Sequence, residues 1–277
     1  MSSQSPAISP SRQSNELLEV PLSREVLNDL FASMLKARLL SKRFRSGPQT
    51  SESILAGTLK NVGDSDLVVS ATPHPVLEAL RGPSTPSLVR TQNDTQASSQ
   101  SHVMVPPPDG IASFAAGLAL AGSRAVSNAA VILFTPGQKT RGSSFQEATQ
   151  YAAEHRVPLV IVADWTDSRR SSRNHDGSSL SHWPFPTIAV DGRDVIAVYR
   201  VTKEAINAAR RGHGPTLVDC VNFLAPGSRG RDQRDPLLTF RGYLQRHSAW
   251  SDDWYTQLQT TLKRELAGPA RRKPTRS

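Results

Sequence analysis

The sequence predicts an α/β protein: a parallel sheet with helices on both faces and helical N- and C-terminal extensions. Three observations carry that prediction. Residues 129–134 and 159–163 are short, continuous apolar runs, and 216–221 is a largely apolar one, the pattern of strands buried on both sides. Segments of helical period separate them, which is the order of repeated βαβ units. Helical patterns also stand outside the alternation, at 24–43 and from 235 onward.

Each element follows from its residues. Residues 1–20 are rich in Ser, Gln and Pro with little to bury, so a disordered tail is expected. Arg12 and the scarcity of acids leave an organelle transit segment as the other reading. Ser23 is placed as an N-cap. After it Val26, Leu27, Leu30, Phe31, Met34, Leu35 and Leu39 recur on one face, opposite Arg24, Asn28, Lys36, Lys42 and Arg43, which is an amphipathic helix. Residues 51–59 form a helix, 67–70 a strand and 76–80 a short helix. Residues 83–109 have loop chemistry, ending in Pro106-Pro107-Pro108. Helices at 111–120, 145–155 and 195–210 alternate with the strands at 129–134, 159–163, 187–190 and 216–221. Residues 165–183 are a polar loop. Two more helices follow, from Asp235-Pro236 to about residue 247, and from a cap at 250–253 through Trp254, Leu258, Leu262 and Leu266. There is no internal repeat.

Composition narrows the classes. At 277 residues the chain can bury a substantial core. No apolar run reaches the roughly 18 residues of a membrane span, and no signal-peptide core follows the N-terminus. The single cysteine, Cys220, lies within a strand pattern. No internal disulfide is possible, which fits a reducing cytoplasmic compartment. The formal net charge is +9, compatible with nucleic acid, an anionic surface or an acidic partner. Part of it sits in Arg271-Arg272-Lys273, read as a solvated basic tail over 269–277. No nucleic-acid-reading motif accompanies it.

Residues 186–199 read Pro-Thr-Ile-Ala-Val-Asp-Gly-Arg-Asp-Val-Ile-Ala-Val-Tyr, and Gly214-Pro215-Thr216-Leu217-Val218-Asp219-Cys220 follows the next helix. This run resembles the α subunit of the E1 component of 2-oxo acid dehydrogenases, of the pyruvate and branched-chain types. The likeness spans residues 24–82 and, more closely, 110–265. Its most specific parts are structural: Gly192 turns the chain, Pro215 enters the strand, and Val195 and Val198 face the core. The resemblance implies a thiamine diphosphate-binding fold over residues 21–268.

It also implies where chemistry should lie. In that family a loop after one strand supplies an aspartate to Mg²⁺, and a loop after the next supplies an asparagine. The metal bridges to the diphosphate of thiamine diphosphate through hard oxygen ligands. Here residues 135–144 contain no carboxylate. An alignment anchored on Phe145-Gln146-Glu147-Ala148 puts Gly137 at the aspartate position, and a one-residue insertion puts Pro136 there. Asp164-Trp165-Thr166 stands where the family has its asparagine pair. Lys139 and Arg141 are either phosphate contacts or surface charges. Asp164 and Asp167 are either alternative cation ligands or capping residues. In a later loop the family's histidine becomes Gly227, while its serine is kept as Ser228. Ala71-Thr72-Pro73-His74 keeps one histidine of the family's phosphate-side motif, so His74 is the best candidate for residual ligand contact, against an ordinary helix-start role. His102 is a weaker match.

The candidates are therefore His74 and Ser228 for catalysis, and Gly137, Asp164 and Thr166 for cofactor contact, with no metal ligand. No Gly-x-Gly-x-x-Gly, phosphate-binding Gly-Lys-Thr, paired-cysteine or Gly-x-Ser-x-Gly motif is present. The expectation is an E1 α-like subunit that has lost its cofactor, acting as a structural or regulatory subunit. It would be a homodimer, or a heterotetramer with an E1 β-like chain, without membrane or nucleic acid. The alternative is an active thiamine diphosphate- and Mg²⁺-dependent subunit.

Overall fold

Strand pairing in the computed structural model joins six strands in the order β2-β1-β3-β4-β6-β5, every neighbour parallel. The structure describes residues 21–44, 50–82, 103–124, 129–165, 183–222 and 235–267. The strands are β1 (Leu67–Ser70), β2 (Val103–Met104), β3 (Val131–Pro136), β4 (Leu159–Asp164), β5 (Thr187–Asp191) and β6 (Thr216–Val221). The helices are α1 (Arg24–Phe44), α2 (Glu52–Leu59), α3 (Pro75–Arg81), α4 (Ile111–Arg124), α5 (Ser143–Glu154), α6 (Val195–Arg210), α7 (Pro236–Arg246) and α8 (Asp252–Ala267). The α/β class, the parallel sheet and the helical extensions are as expected. Short elements also form where loops were expected. A two-residue strand, β2, forms at the edge inside the expected loop, where its register on β1 (Val68 beside Val103) makes up for its poor sequence signal. A 3₁₀ turn, Gly137–Arg141, follows β3 directly.

Strand side chains alternate between two buried layers, as a strand's period of two requires. Ile132, Phe134, Val160, Val162, Val218 and Cys220 face α2, α3 and α6. Val131, Leu133, Leu159, Ile161, Ala163 and Leu217 face α4 and α5. The alanines of α4 (Ala112, Ala115, Ala116 and Ala119) are what let that helix lie close on the sheet. A third cluster gathers α1, α7 and α8 around Phe31, whose ring meets Trp250 edge-on at 5.1 Å and Trp254 at 5.8 Å. Arg241 lies 4.6 Å over the Trp250 ring.

Polar ties fix the ends of elements. Asp66 is buried just before β1. It accepts from the Ala130 amide at 2.8 Å and the Gly63 amide at 2.7 Å, and pairs with Arg210 at the end of α6. Arg38 of α1 pairs with Glu52 and, at 2.7 Å, with Asp235. Asp235 also caps α7 through the Leu237 and Leu238 amides. Burial works against the Asp235 charge, but the bonds from Arg38 and those amides hold its pKa below the ordinary value. Asp194 caps α6 and Ser251 caps α8 in the same manner.

Helix α2 runs beneath α6 in contact with its backbone. A Cβ on Gly57 would come 3.0 Å from both the Tyr199 nitrogen and the Val195 oxygen. Asn61 donates to the Gly57 and Tyr199 carbonyls at 3.0 and 2.9 Å, sealing that approach. We expect Gly57→Ala to destabilise the fold by about 1–3 kcal/mol, because neither neighbouring backbone can retreat. Urea unfolding would show a lower midpoint at unchanged slope.

Three helices end in the same motif. After α5, α6 and α7 a left-handed residue (Arg156, Gly212 and Ser248, with φ of 50°, 77° and 54°) lets the next amide reach back to Ala152, Ala208 and Leu244. Only at Gly212 is that conformation free of Cβ strain. Ser248→Gly should therefore raise stability by about 1 kcal/mol, read as a higher thermal midpoint. An unchanged or lower midpoint would contradict the strain argument.

Candidate functional site

Parallel sheets bind ligands beyond the carboxyl ends of their strands, where the chain order reverses. The order here reverses between β1 and β3: the chain leaves β1 for β2 on one side, and β3 pairs on the other. The segments at that edge begin at Ala71, Gly137 and Trp165.

Beyond β3 the 3₁₀ turn is closed by the Thr140 hydroxyl, which donates to the Gly137 carbonyl at 2.8 Å. Beyond β4, Trp165 extends the ladder, its amide donating to the Cys220 carbonyl at 2.9 Å. Its indole N–H donates to the Asp219 carboxylate at 2.5 Å, and the residue is only 5% exposed. The ring lies directly against Gly137. A Cβ on Gly137 would meet Cδ2, Cε2 and Nε1 of the indole at under 3.0 Å, closer than real Cβ atoms come. The Arg141 guanidinium stands 4.9 Å from the ring centroid. A pocket of about 210 Å³ opens beside it, bounded by Arg141, Gln146, Trp165, Trp183 and Asp219.

The structure thus joins two positions singled out in the sequence, Gly137 and the tryptophan at the asparagine pair. The other candidates scatter. Asp164 ends β4, half-buried, with its Cα beside Cys220. Lys139 is exposed and borders a separate cleft with Asp109, Ser113 and Ser144, away from Arg141. Ser228, Thr166, Asp167 and His102 lie outside the described residues. Sequence reasoning missed Asp219 and Trp183. Asp219 had a visible signal, being a carboxylate inside an otherwise apolar strand. Trp183, at the far end of a polar loop, had none.

His74 is the N-cap of α3. Its Nδ1 accepts from the Leu77 amide at 3.2 Å, ahead of Pro75 at the first helical position. Its Nε2 is buried with no hydrogen-bond partner among the described residues. Burial, only partly opposed by a bond to its own backbone, lowers its pKa from 6.5 to about 4. The ring is therefore neutral near pH 7. Cys220 is a buried thiol. Burial, then the nearby Asp164, Asp219 and Asp191 charges, push its pKa well up, so it is not an active nucleophile.

Among the described residues no three His, Cys, Asp or Glu side chains are gathered where one ion could bridge them. Among the described residues, those at the tip of β3 do not fit the Mg²⁺–diphosphate group that the family resemblance implies. Neither Gly137 nor Pro136 offers a side-chain donor, and a side chain at 137 would collide with the indole.

The family comparison bears on the same region. The family model for the dehydrogenase E1 component matches residues 92–270. The chain belongs to the dehydrogenase E1 component family. This E1 chain is 31% identical over 163 residues to the 2-oxoisovalerate dehydrogenase subunit alpha of Bacillus subtilis, covering 50% of this chain and 49% of that protein. It is 32% identical over 171 residues to the 3-methyl-2-oxobutanoate dehydrogenase subunit alpha of Mycobacterium tuberculosis, covering 54% and 47%. Against the pyruvate dehydrogenase E1 component subunit alpha of Staphylococcus aureus it is 29% identical over 175 residues, covering 55% and 47%. The chain thus spans about half the length of the curated relatives it matches. Among the described residues of this E1 chain, no helix is long and apolar enough to cross a membrane.

His74 generates a pH prediction. Its folded pKa of about 4 lies below the ordinary 6.5, so between these values the unfolded chain binds more protons. The His74 contribution is complete above pH 6.5 and is lost as pH falls toward 4. In His74→Asn, which keeps a capping oxygen, the fall in stability across that window should be shallower. Denaturant midpoints of both proteins measured across that range check this, and parallel slopes would refute it.

Proposed function

We propose that this chain is an E1 α-like subunit that has given up catalysis and acts as a structural or regulatory subunit. One observation supports the reading: at the tips of β3 and β4 the Trp165 indole packs on Gly137, the position that the resemblance aligns with the family's metal-binding aspartate. Mg²⁺ needs hard oxygen ligands in near-octahedral array, and an indole N–H already bonded to Asp219 offers none. Losing even an outer-shell partner costs about 10–100-fold in metal affinity or activity. Here both ligand positions are replaced.

In this reading the inherited property is assembly. The partner is an E1 β-like chain, in a heterotetramer, or a second copy of this chain. Support comes from the outer face of α4. Its alanines are turned onto the sheet, while Ser113, Phe114, Gly117 and Ala121 face outward, and no charged residue occurs before Arg124. Phe114 is 39% exposed, and nothing lies within 4 Å of where a Cβ on Gly117 would sit. A mid-helix glycine costs about 1 kcal/mol relative to alanine, and among the described residues no contact accounts for it. With Cys220 as its only cysteine, the protein suits the cytoplasm.

The second reading is an active subunit, oxidatively decarboxylating a 2-oxo acid and passing the acyl group to lipoyl. The family match and the relatives' names favour it. Calorimetric titration with thiamine diphosphate, with and without Mg²⁺, alone and with any co-purifying chain, separates the two. We expect no binding, with a β-like chain retained in pull-down. Micromolar, Mg²⁺-dependent binding would establish the second reading instead.

A further inference from the structure

We infer that Trp165 acts as a plug. Its indole occupies the volume that a metal-liganding side chain on residue 137 would need, so the cofactor position is closed by packing as well as stripped of donors. The inference rests on the reading of the chain as catalytically degenerate and goes beyond it. A site that has only lost its ligands can be rebuilt one residue at a time. A plugged site cannot.

The geometry makes the closure a fitted one. A Cβ on Gly137 would strike three atoms of the indole, Cδ2, Cε2 and Nε1, all in its rigid five-membered ring. A flexible chain end could swing away, but this ring is held at three points. Its backbone amide bonds to Cys220 of β6, its N–H bonds to the buried Asp219, and Arg141 stands over it. Moving the ring would strip the Asp219 carboxylate of a donor in a site that is almost fully buried, which is costly. Glycine at 137 and tryptophan at 165 are therefore coupled, each tolerated because of the other. The plug also links the ends of β3, β4 and β6. The ligand chemistry it excludes is a divalent cation with a diphosphate.

The test uses the full chain as wild type, Gly137→Ala, Trp165→Val and the double variant, compared by urea unfolding. Overpacking against an immobile ring should raise the unfolding constant of Gly137→Ala by roughly tenfold or more. In the Trp165→Val background the same change should have little effect or a favourable one, a clear departure from additivity. Equal effects in the two backgrounds would overturn the plug. Should Trp165→Val not fold, Gly122→Ala serves as the control, because its new methyl enters open space. The expectation is then a loss for Gly137→Ala and none for Gly122→Ala, and the absence of that loss would overturn the inference.

Calorimetry completes the test. Gly137→Asp restores the carboxylate and should still show no Mg²⁺-dependent binding of thiamine diphosphate. Binding by Gly137→Asp but not by wild type would overturn the plug alone. Binding by wild type would instead overturn the reading beneath it.

Discussion

An all-parallel sheet covered by helices on both faces has no side to offer to water, and most of this molecule follows from that constraint. It explains why β3 and β4 are almost wholly apolar and why their neighbours sort cleanly into two layers. It also confines polar chemistry to the strand ends. At the amino-terminal edge Asp66 answers two backbone amides and Arg210. At the carboxyl-terminal edge Asp219 receives the indole N–H of Trp165. The two carboxylates hold opposite rims of one sheet.

The constraint also sorts what was legible in the sequence. Continuous apolar runs announce doubly covered strands, so β3, β4 and β6 were plain. Caps at Ser23, Asp235 and Ser251 stood in the open because local hydrogen bonding fixes them. The edge strand β2 was not visible. Two residues, Val103 and Met104, carry no period, and only their pairing with β1 makes them a strand. The left-handed ends at Arg156 and Ser248 were equally hidden, since neither residue type signals that conformation.

The site was half legible. Absent carboxylates at 135–144 could be counted. What fills their place could not, because the contact between Gly137 and Trp165 joins strands 28 positions apart in sequence and depends on the β3–β4 register. The alignment placed both residues at ligand positions and said nothing of their touching. His74 shows the converse. The residue type suggested chemistry, and the structure gives it a capping bond, a pKa lowered by burial and an Nε2 without a partner among the described residues.

The third cluster bears on how the chain comes to be folded. Phe31, near the beginning of the described residues, is surrounded by Phe240, Trp250, Trp254 and Tyr255 from near their end. Leu266, one residue from the end of α8, belongs to the same layer as the sheet. During synthesis at about 5–20 residues per second, the sheet can assemble well before these helices emerge. Until then the side of α1 around Phe31 lacks the aromatic cover of α7 and α8, while its Ala37 and Leu40 already pack with α2 and α3. Ribosome-side protection of that helix, whether by a chaperone or by an assembling partner, therefore matters most in the interval between completion of β6 and arrival of α8.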